Sequence, residues 1–245
     1  MFSEIKKVNI LAFGVHPDDV ELSCIGTLMK QKDLGYTFGL CDLTQGELGS
    51  RGSGPIRLTE AANAAQHSGA SFRVNLNLPD GFITHDKDTI IKIAAVIRES
   101  KPELVLANSL DDRHPDHGRA AKIVQDACFY SGLIKIEILN QNNEPLPPHR
   151  PNAVYHYIQD KMLTPDFVVD ISDYIDKKVE CIQKFKTQFY TGQEMDEPMT
   201  PISGKDFLEY IKAKDKVFGR SVQAAYAEGF NYVRTPAIHD LFDLK

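Results

Sequence analysis

Tryptophan is absent from the 245 residues, and cysteine occurs only four times. Cys24, Cys41, Cys128 and Cys181 lie far apart with no Cys-x-x-Cys pair. A disulfide frame is therefore not expected, and the four thiols read as small core residues of a cytoplasmic protein. No apolar run approaches the roughly 20 residues that cross a bilayer, which excludes a membrane-spanning helix. Basic charge is in short supply, with 28 Lys and Arg against 34 Asp and Glu and a net charge of −6. The cations are scattered, so no stripe exists for a nucleic-acid backbone. The chain also lacks the Gly-x-Gly-x-x-Gly of a dinucleotide fold, and its glycine-rich stretch Gln45 to Pro55 lacks the Gly-Lys-Ser/Thr ending of a phosphate loop. A cleaved leader is not expected either, because it would remove the most distinctive turn of the chain.

What is present alternates. Val8 to Val15 reads as a strand, and Val20 to Leu34 as a helix that stops at Gly35. Tyr36 to Leu43 is a strand, Ile56 to His67 a helix closed by Gly69, and Phe72 to Leu78 a strand. Asp88 to Ser100 is a helix ended by Lys101-Pro102, Leu104 to Ala107 a buried strand, and Pro115 to Tyr130 a helix. A loop over Asn140 to Pro151 precedes strands at Ala153 to Ile158 and Phe167 to Ile171, then helices at Asp173 to Phe189 and Asp206 to Phe218. The expectation is a single domain over 1–245 of the Rossmann-like α/β class. Its sheet is mainly parallel with helices on both faces, and its active site lies at the carboxyl edge of the strands. Gln45 to Pro55 reads as a flexible pocket rim, and Gly192 to Gly204 as a mobile loop.

Two turns carry the chemistry. His16-Pro17-Asp18-Asp19 follows the first strand, and His114-Pro115-Asp116-His117 follows the strand at Leu104 to Ala107, each where a strand feeds a helix. Either turn alone could be a helix cap, but two on one sheet edge can face each other. Catalytic zinc takes three His or carboxylate ligands and leaves a position open, a count that His16, Asp19 and His117 satisfy. Asp18, adjacent to Asp19 and diverging from it, is then the candidate general base. His114 is the group that stabilises an oxyanion or protonates a leaving amine, with Asp116 orienting it. Arg57 and Arg113 lie beside these turns and are candidates to meet an anionic substrate group at the pocket rim. His67, His85, His149, His156 and His239 lack partners at ligand spacing.

These residues resemble the PIG-L/LmbE-type zinc-dependent N-deacetylases, marked by His-Pro-Asp-Asp and a later His-x-x-His. Within that family the chain is similar to the N-acetylglucosaminyl-malate deacetylases of bacillithiol biosynthesis. The likeness runs through ILAFGVHPDDVE (Ile10 to Glu21), CDLTQGELGSRG (Cys41 to Gly52), RLTEAANAA (Arg57 to Ala65), LPDG (Leu78 to Gly81) and DDRHPDHGRAA (Asp111 to Ala121). It continues at PDFVVDIS (Pro165 to Ser172), FKTQF (Phe185 to Phe189) and YAEGF (Tyr226 to Phe230). The resemblance implies one Zn2+ per chain on His16, Asp19 and His117, Asp18 as base, and His114 as oxyanion-stabilising or acid group. It also implies Arg57 and Arg113 among the substrate contacts, an amino-sugar substrate, and a homo-oligomer, often a hexamer. Another N-acetylglucosamine conjugate, such as N,N'-diacetylchitobiose, is the alternative substrate; a non-catalytic Rossmann-like binding module is the alternative class. Leu22 to Gly26 departs from the family, whose members carry small residues there.

Overall fold

A computed structural model describes residues 4–140, 142–190 and 198–243. Seven strands form one sheet in the order β3-β2-β1-β4-β5-β7-β6. They are β1 (Ile10–Gly14), β2 (Phe38–Asp42), β3 (Arg73–Asn75), β4 (Leu104–Ala107), β5 (Ala153–Tyr157), β6 (Phe167–Asp170) and β7 (Ala227–Tyr232). Strands β3, β2, β1, β4 and β5 run parallel, while β7 pairs antiparallel with both β5 and β6. The mainly parallel α/β sheet expected from the alternation is therefore present.

β1 and β2 are buried along their whole length, as a central parallel strand covered on both faces must be. Successive β1 side chains divide between two cores. Ile10 and Ala12 pack with Leu28, Phe38, Ala61 and Ile182. Leu11 and Phe13 pack on the other face with Ile93, Ile97, Ile123 and Val124. The first face is covered by α2 (Ile25–Asp33), α3 (Gly54–Ser68) and α6 (Ile175–Ile182), and the second by α4 (Lys87–Ser100) and α5 (Pro115–Tyr130). Each fully buried side chain of this kind contributes roughly 1.5–3 kcal/mol.

Three elements differ from the sequence expectation. The helix expected from Val20 to Leu34 is two, α1 (Asp19–Ser23) and α2, broken at Cys24. The break has a distant cause: Glu228 of β7 accepts hydrogen bonds from Gly26 N (3.1 Å) and Thr27 N (2.7 Å), so its carboxylate caps the new helix. The helix expected over Asp173 to Phe189 is regular only through Ile182, because the chain beyond it is engaged elsewhere. Thr187 N and Oγ1 both donate to Glu60, and Gln188 Nε2 donates to Arg51 O. β7 is a strand that the sequence reading missed. The last helix, α7 (Phe207–Arg220), matches closely. Part of the loop expected over Gly192 to Gly204 lies outside the described residues. Among the described residues, no helix is long and apolar enough to cross a membrane.

Chain order sets the position of the site. From β1 the chain moves outward to β2 and β3, then returns to the other side of β1 as β4. The crevice between β1 and β4 at their carboxyl ends is thus a topological switch point, and both His-containing turns leave from it.

Candidate metal centre and active site

β1 ends on Gly14, where a Cβ would lie 3.0 Å from His16 O and 3.2 Å from Asp19 Cβ. A Cβ there would crowd the return, and its neighbours would have to give by a few tenths of an ångström. Asp18 follows at φ 122°, a region that residues with a Cβ rarely adopt. Strain of this kind persists at sites where side-chain direction matters more than local comfort. The turn buries His16, Asp18 and Asp19.

Asp19 is the hub. Its Oδ2 accepts from His16 N and from Asn108 Nδ2, both at 2.9 Å, and its Oδ1 accepts from Gln159 Nε2 at 3.1 Å. Across the crevice His117 Nε2 comes within 3.2 Å of Asp19 Oδ1, while His16 Nδ1 lies 3.8 Å from Oδ2. His16 and His117 turn their other nitrogens onto carboxylates: His16 Nε2 lies 3.0 Å from Asp80 Oδ1, and His117 Nδ1 is bonded to Asp112. Carboxylates behind imidazoles are the usual outer support of metal-binding histidines.

The electrostatics agree with that geometry. Burial by itself would pull both imidazoles down. For His16 the carboxylates of Asp116, Asp19 and Asp80 override it and hold the pKa well above its ordinary value. His117 is likewise pushed up to about 9 against burial, by Asp19 and Asp112. Asp19 is held well below the usual carboxylate range, because His117 and His16 outweigh its burial. A buried point that draws cations this strongly, lined by two imidazoles and a carboxylate, fits a divalent ion such as zinc. His114 brings a third imidazole nitrogen within 4.8 Å of those of His16 and His117.

Asp18 faces Arg57, with Oδ2 3.1 Å from Nη2. Burial raises its carboxyl to about 7, partly opposed by Arg57 and reinforced by Asp19. His114 precedes Pro115, the first residue of α5, and its Nδ1 accepts from Asp116 N at 3.3 Å. That bond assigns the neutral proton to Nε2. Burial and the neighbouring His16 and His117 lower its pKa, which favours the neutral ring.

The arginines differ from one another. The sequence reading makes Arg57 a cation free to meet substrate at the rim. It is instead 5% exposed, and besides Asp18 it donates to Pro17 O (2.7 Å) and Gly46 O (3.0 Å). The reason is the glycine-rich loop: Gly46, at φ 66°, folds against the guanidinium, where a Cβ would lie 1.9 Å from Nη1. Arg113 does lie at the mouth, half-exposed and paired with Asp160 at 2.5 Å. Asp116 also departs from expectation, since its carboxylate does not orient His114. It accepts from Gly81 N (2.8 Å) and Arg119 Nη1 (2.7 Å), and it lies 3.7 Å from His16 Nε2. As the second residue of α5, Asp116 carries its side chain back over the 80–81 turn rather than toward the cap.

Asp80, Asp112, Asn108 and Gln159 escaped the sequence reading. Asp80 and Asp112 lie inside stretches already singled out, LPDG and DDRHPDHGRAA, while Asn108 and Gln159 follow the ends of β4 and β5. Position at the carboxyl edge of the sheet was the available signal. The cavity over the centre has a volume of about 480 Å3, within the range of small-molecule sites.

Residues 11–128 match the family model described as PIG-L: GlcNAc-PI de-N-acetylase. Diacetylchitobiose deacetylase of Thermococcus kodakarensis is 27% identical over 250 residues, spanning 97% of this chain and 87% of the relative. The crystal structure of the conserved protein TT1542 from Thermus thermophilus superposes with a TM-score of 0.83 at 31% identity, covering 96% of this chain and 98% of that one. The 4-carboxy-2-hydroxymuconate hydratase GalB of Pseudomonas putida, at 24% identity and a TM-score of 0.76, shares the fold over 96% of this chain and 99% of its own.

Proposed function

The chain belongs to the PIG-L family, and on that premise we propose that it is a zinc-dependent hydrolase that removes the acetyl group from an N-acetylglucosamine conjugate. The observation that carries this reading is that the buried carboxylate of Asp19 meets both His16 and His117, whose ring nitrogens cluster with that of His114, while Asp18 lies next to Asp19. His16, Asp19 and His117 would hold one zinc ion per chain. When bound, the ion would polarise the amide carbonyl and strengthen water as a nucleophile.

The remaining steps belong to side chains. Asp18 takes a proton from water as the water oxygen adds to the amide carbon; a carboxyl near 7 suits proton transfer at neutral pH. Arg57 holds that carboxylate in place. Neutral His114 donates through Nε2–H to the oxygen that gains charge. When the C–N bond breaks, the proton on Asp18 passes to the leaving nitrogen, giving acetic acid and the free amine, which part as acetate and ammonium once the acid's proton moves to the amine. Asp116 positions His16 and the 80–81 turn.

The aglycone is the finer part of the proposal. N-acetylglucosaminyl-malate, the bacillithiol precursor, would bring carboxylates to the mouth, where Arg113 is placed to meet them; Arg57 is committed to Asp18. N,N'-diacetylchitobiose would bring a second sugar, a reading that the Thermococcus relative supports. Amine release from N-acetylglucosamine and both conjugates, offered to the zinc-loaded protein, tests the function. Release from at least one is expected, and none from any would overturn the proposal.

A further inference from the structure

Asn108 directly follows β4 and Gln159 follows β5 by two residues, and their side-chain amides meet at Asp19. Both residues are buried. Their orientation is fixed by a donor of known sign. Ser109 N can only donate, and it lies 3.1 Å from Gln159 Oε1, so that atom is the amide oxygen and Nε2 faces Asp19 Oδ1 at 3.1 Å. Asn108 then donates twice from Nδ2, to Gln159 Oε1 at 3.0 Å and to Asp19 Oδ2 at 2.9 Å. The backbones are tied as well: His156 Nδ1 donates to Asn108 O at 2.8 Å, and Lys214 Nζ donates to Gln159 O at 2.9 Å. Asn108 Oδ1, by contrast, is buried without a partner among the described residues. An unpaired buried acceptor costs stability, so what the asparagine contributes here lies in the two protons of Nδ2.

Lone pairs decide what these donors do to Asp19. An ionised carboxylate offers about four acceptor positions, two on each oxygen. On Oδ2 both are taken, by His16 N and Asn108 Nδ2, each at 2.9 Å. On Oδ1 Gln159 Nε2 takes one. The position left over is therefore on Oδ1, the oxygen that lies 3.2 Å from His117 Nε2, whereas Oδ2 lies 3.8 Å from His16 Nδ1. Both amides are neutral, so they orient the carboxylate without cancelling the charge that attracts a cation. We propose that Asn108 and Gln159 are positioning residues, an amide clamp that turns Asp19 so that Oδ1 alone offers a lone pair to the ion held with His16 and His117. A carboxylate that gives one oxygen instead of two leaves room at the ion for water and the amide oxygen. This rests on the zinc reading above and gives the ends of β4 and β5 a part in the site that neither His-containing turn supplies.

The test is a double-mutant cycle on zinc affinity, read by competition of the zinc-loaded protein with a chelating dye. Asn108→Leu and Gln159→Met remove the donors while keeping bulk and adding no charge. Each should weaken zinc binding about 10–100-fold. In an Asp19→Ala background the same substitutions should change affinity by less than about twofold, because the amides act through the carboxylate. A packing role predicts the same loss with and without Asp19. That outcome would overturn the clamp, as would unchanged affinity in both single variants. Gln159 lines the cavity, so Gln159→Met carries the cycle alone should the fully buried Asn108→Leu fail to fold. Amine release by the zinc-saturated wild type keeps this proposal apart from the function. If zinc affinities follow the cycle in a protein that deacetylates neither N-acetylglucosamine nor its conjugates, the deacetylase reading fails and the clamp stands. Wild-type protein that binds no zinc would overturn both.

Discussion

Asp18 combines a strained backbone, burial and a raised carboxyl pKa, and Arg57 holds its carboxylate. Asp18→Asn should therefore keep its metal and lose turnover by about 10²–10⁴-fold, the usual range for a general base. Were Asp18 only a helix cap, the same change would cost about 1 kcal/mol of stability and leave turnover largely intact. Zinc content, melting and turnover on one preparation separate these outcomes. The pairing of Arg57 changes what its removal should do. Arg57→Ala is expected to slow charged and neutral substrates by the same factor, because it acts through Asp18; selective loss on the malate conjugate would return it to substrate recognition. Arg57 lies 39 positions from Asp18. The sequence displays its charge and its place beside a glycine-rich loop, while the direction of the side chain is decided by Gly46, and that depends on the folded loop.

At the scale of elements, the strand-turn-helix units at the switch point were legible because local chemistry fixes them. Pro115 opens α5 and Lys101-Pro102 closes α4, and β4 is a short, fully apolar run. β7 was not legible. Its Glu228 and Gly229 break the apolar pattern, and Glu228 is buried only because Lys178 of α6 meets it at 2.9 Å and the amides of α2 bind its oxygens. The same lysine bonds Asp215 of α7 at 2.7 Å, so one ammonium ties together three elements remote in sequence. Lys178→Met should cost about 3–5 kcal/mol in denaturant unfolding, because two carboxylates are left buried without their partner. A loss below about 1 kcal/mol would mean that the cluster does not hold these elements. Asp80 and Asp112, on the loops after β3 and β4, hold the imidazoles of His16 and His117 from outside. Asp80→Ala and Asp112→Ala should each weaken zinc affinity about 10–100-fold, measured by competition with a chelating dye.

For the whole molecule, the mainly parallel sheet was legible from alternation alone, whereas the antiparallel insertion of β7 between β5 and β6 came from long-range pairing that no local pattern encodes. Lys214 records the cost of burying charge beneath the cavity: burial pulls its ammonium down to about 8 from 10.5. Between those two values the unfolded chain binds more protons than the folded one, so this group's contribution to stability rises with pH through that window. The stability of Lys214→Met relative to wild type should accordingly fall by about 2–4 kcal/mol from roughly pH 7.5 to 10.5, and a flat difference would contradict the burial argument. The crevice between β1 and β4 brings His16, Asp19 and His117 together, and the whole account depends on their holding a catalytic ion. The most direct measurement is zinc content and amine release, before and after chelation, for wild type and for His16→Ala, Asp19→Ala and His117→Ala. The account predicts that chelation abolishes wild-type turnover, that one equivalent of zinc restores it, and that each variant binds zinc weakly. Turnover that survives complete metal removal, or wild-type zinc content in all three variants, would contradict it.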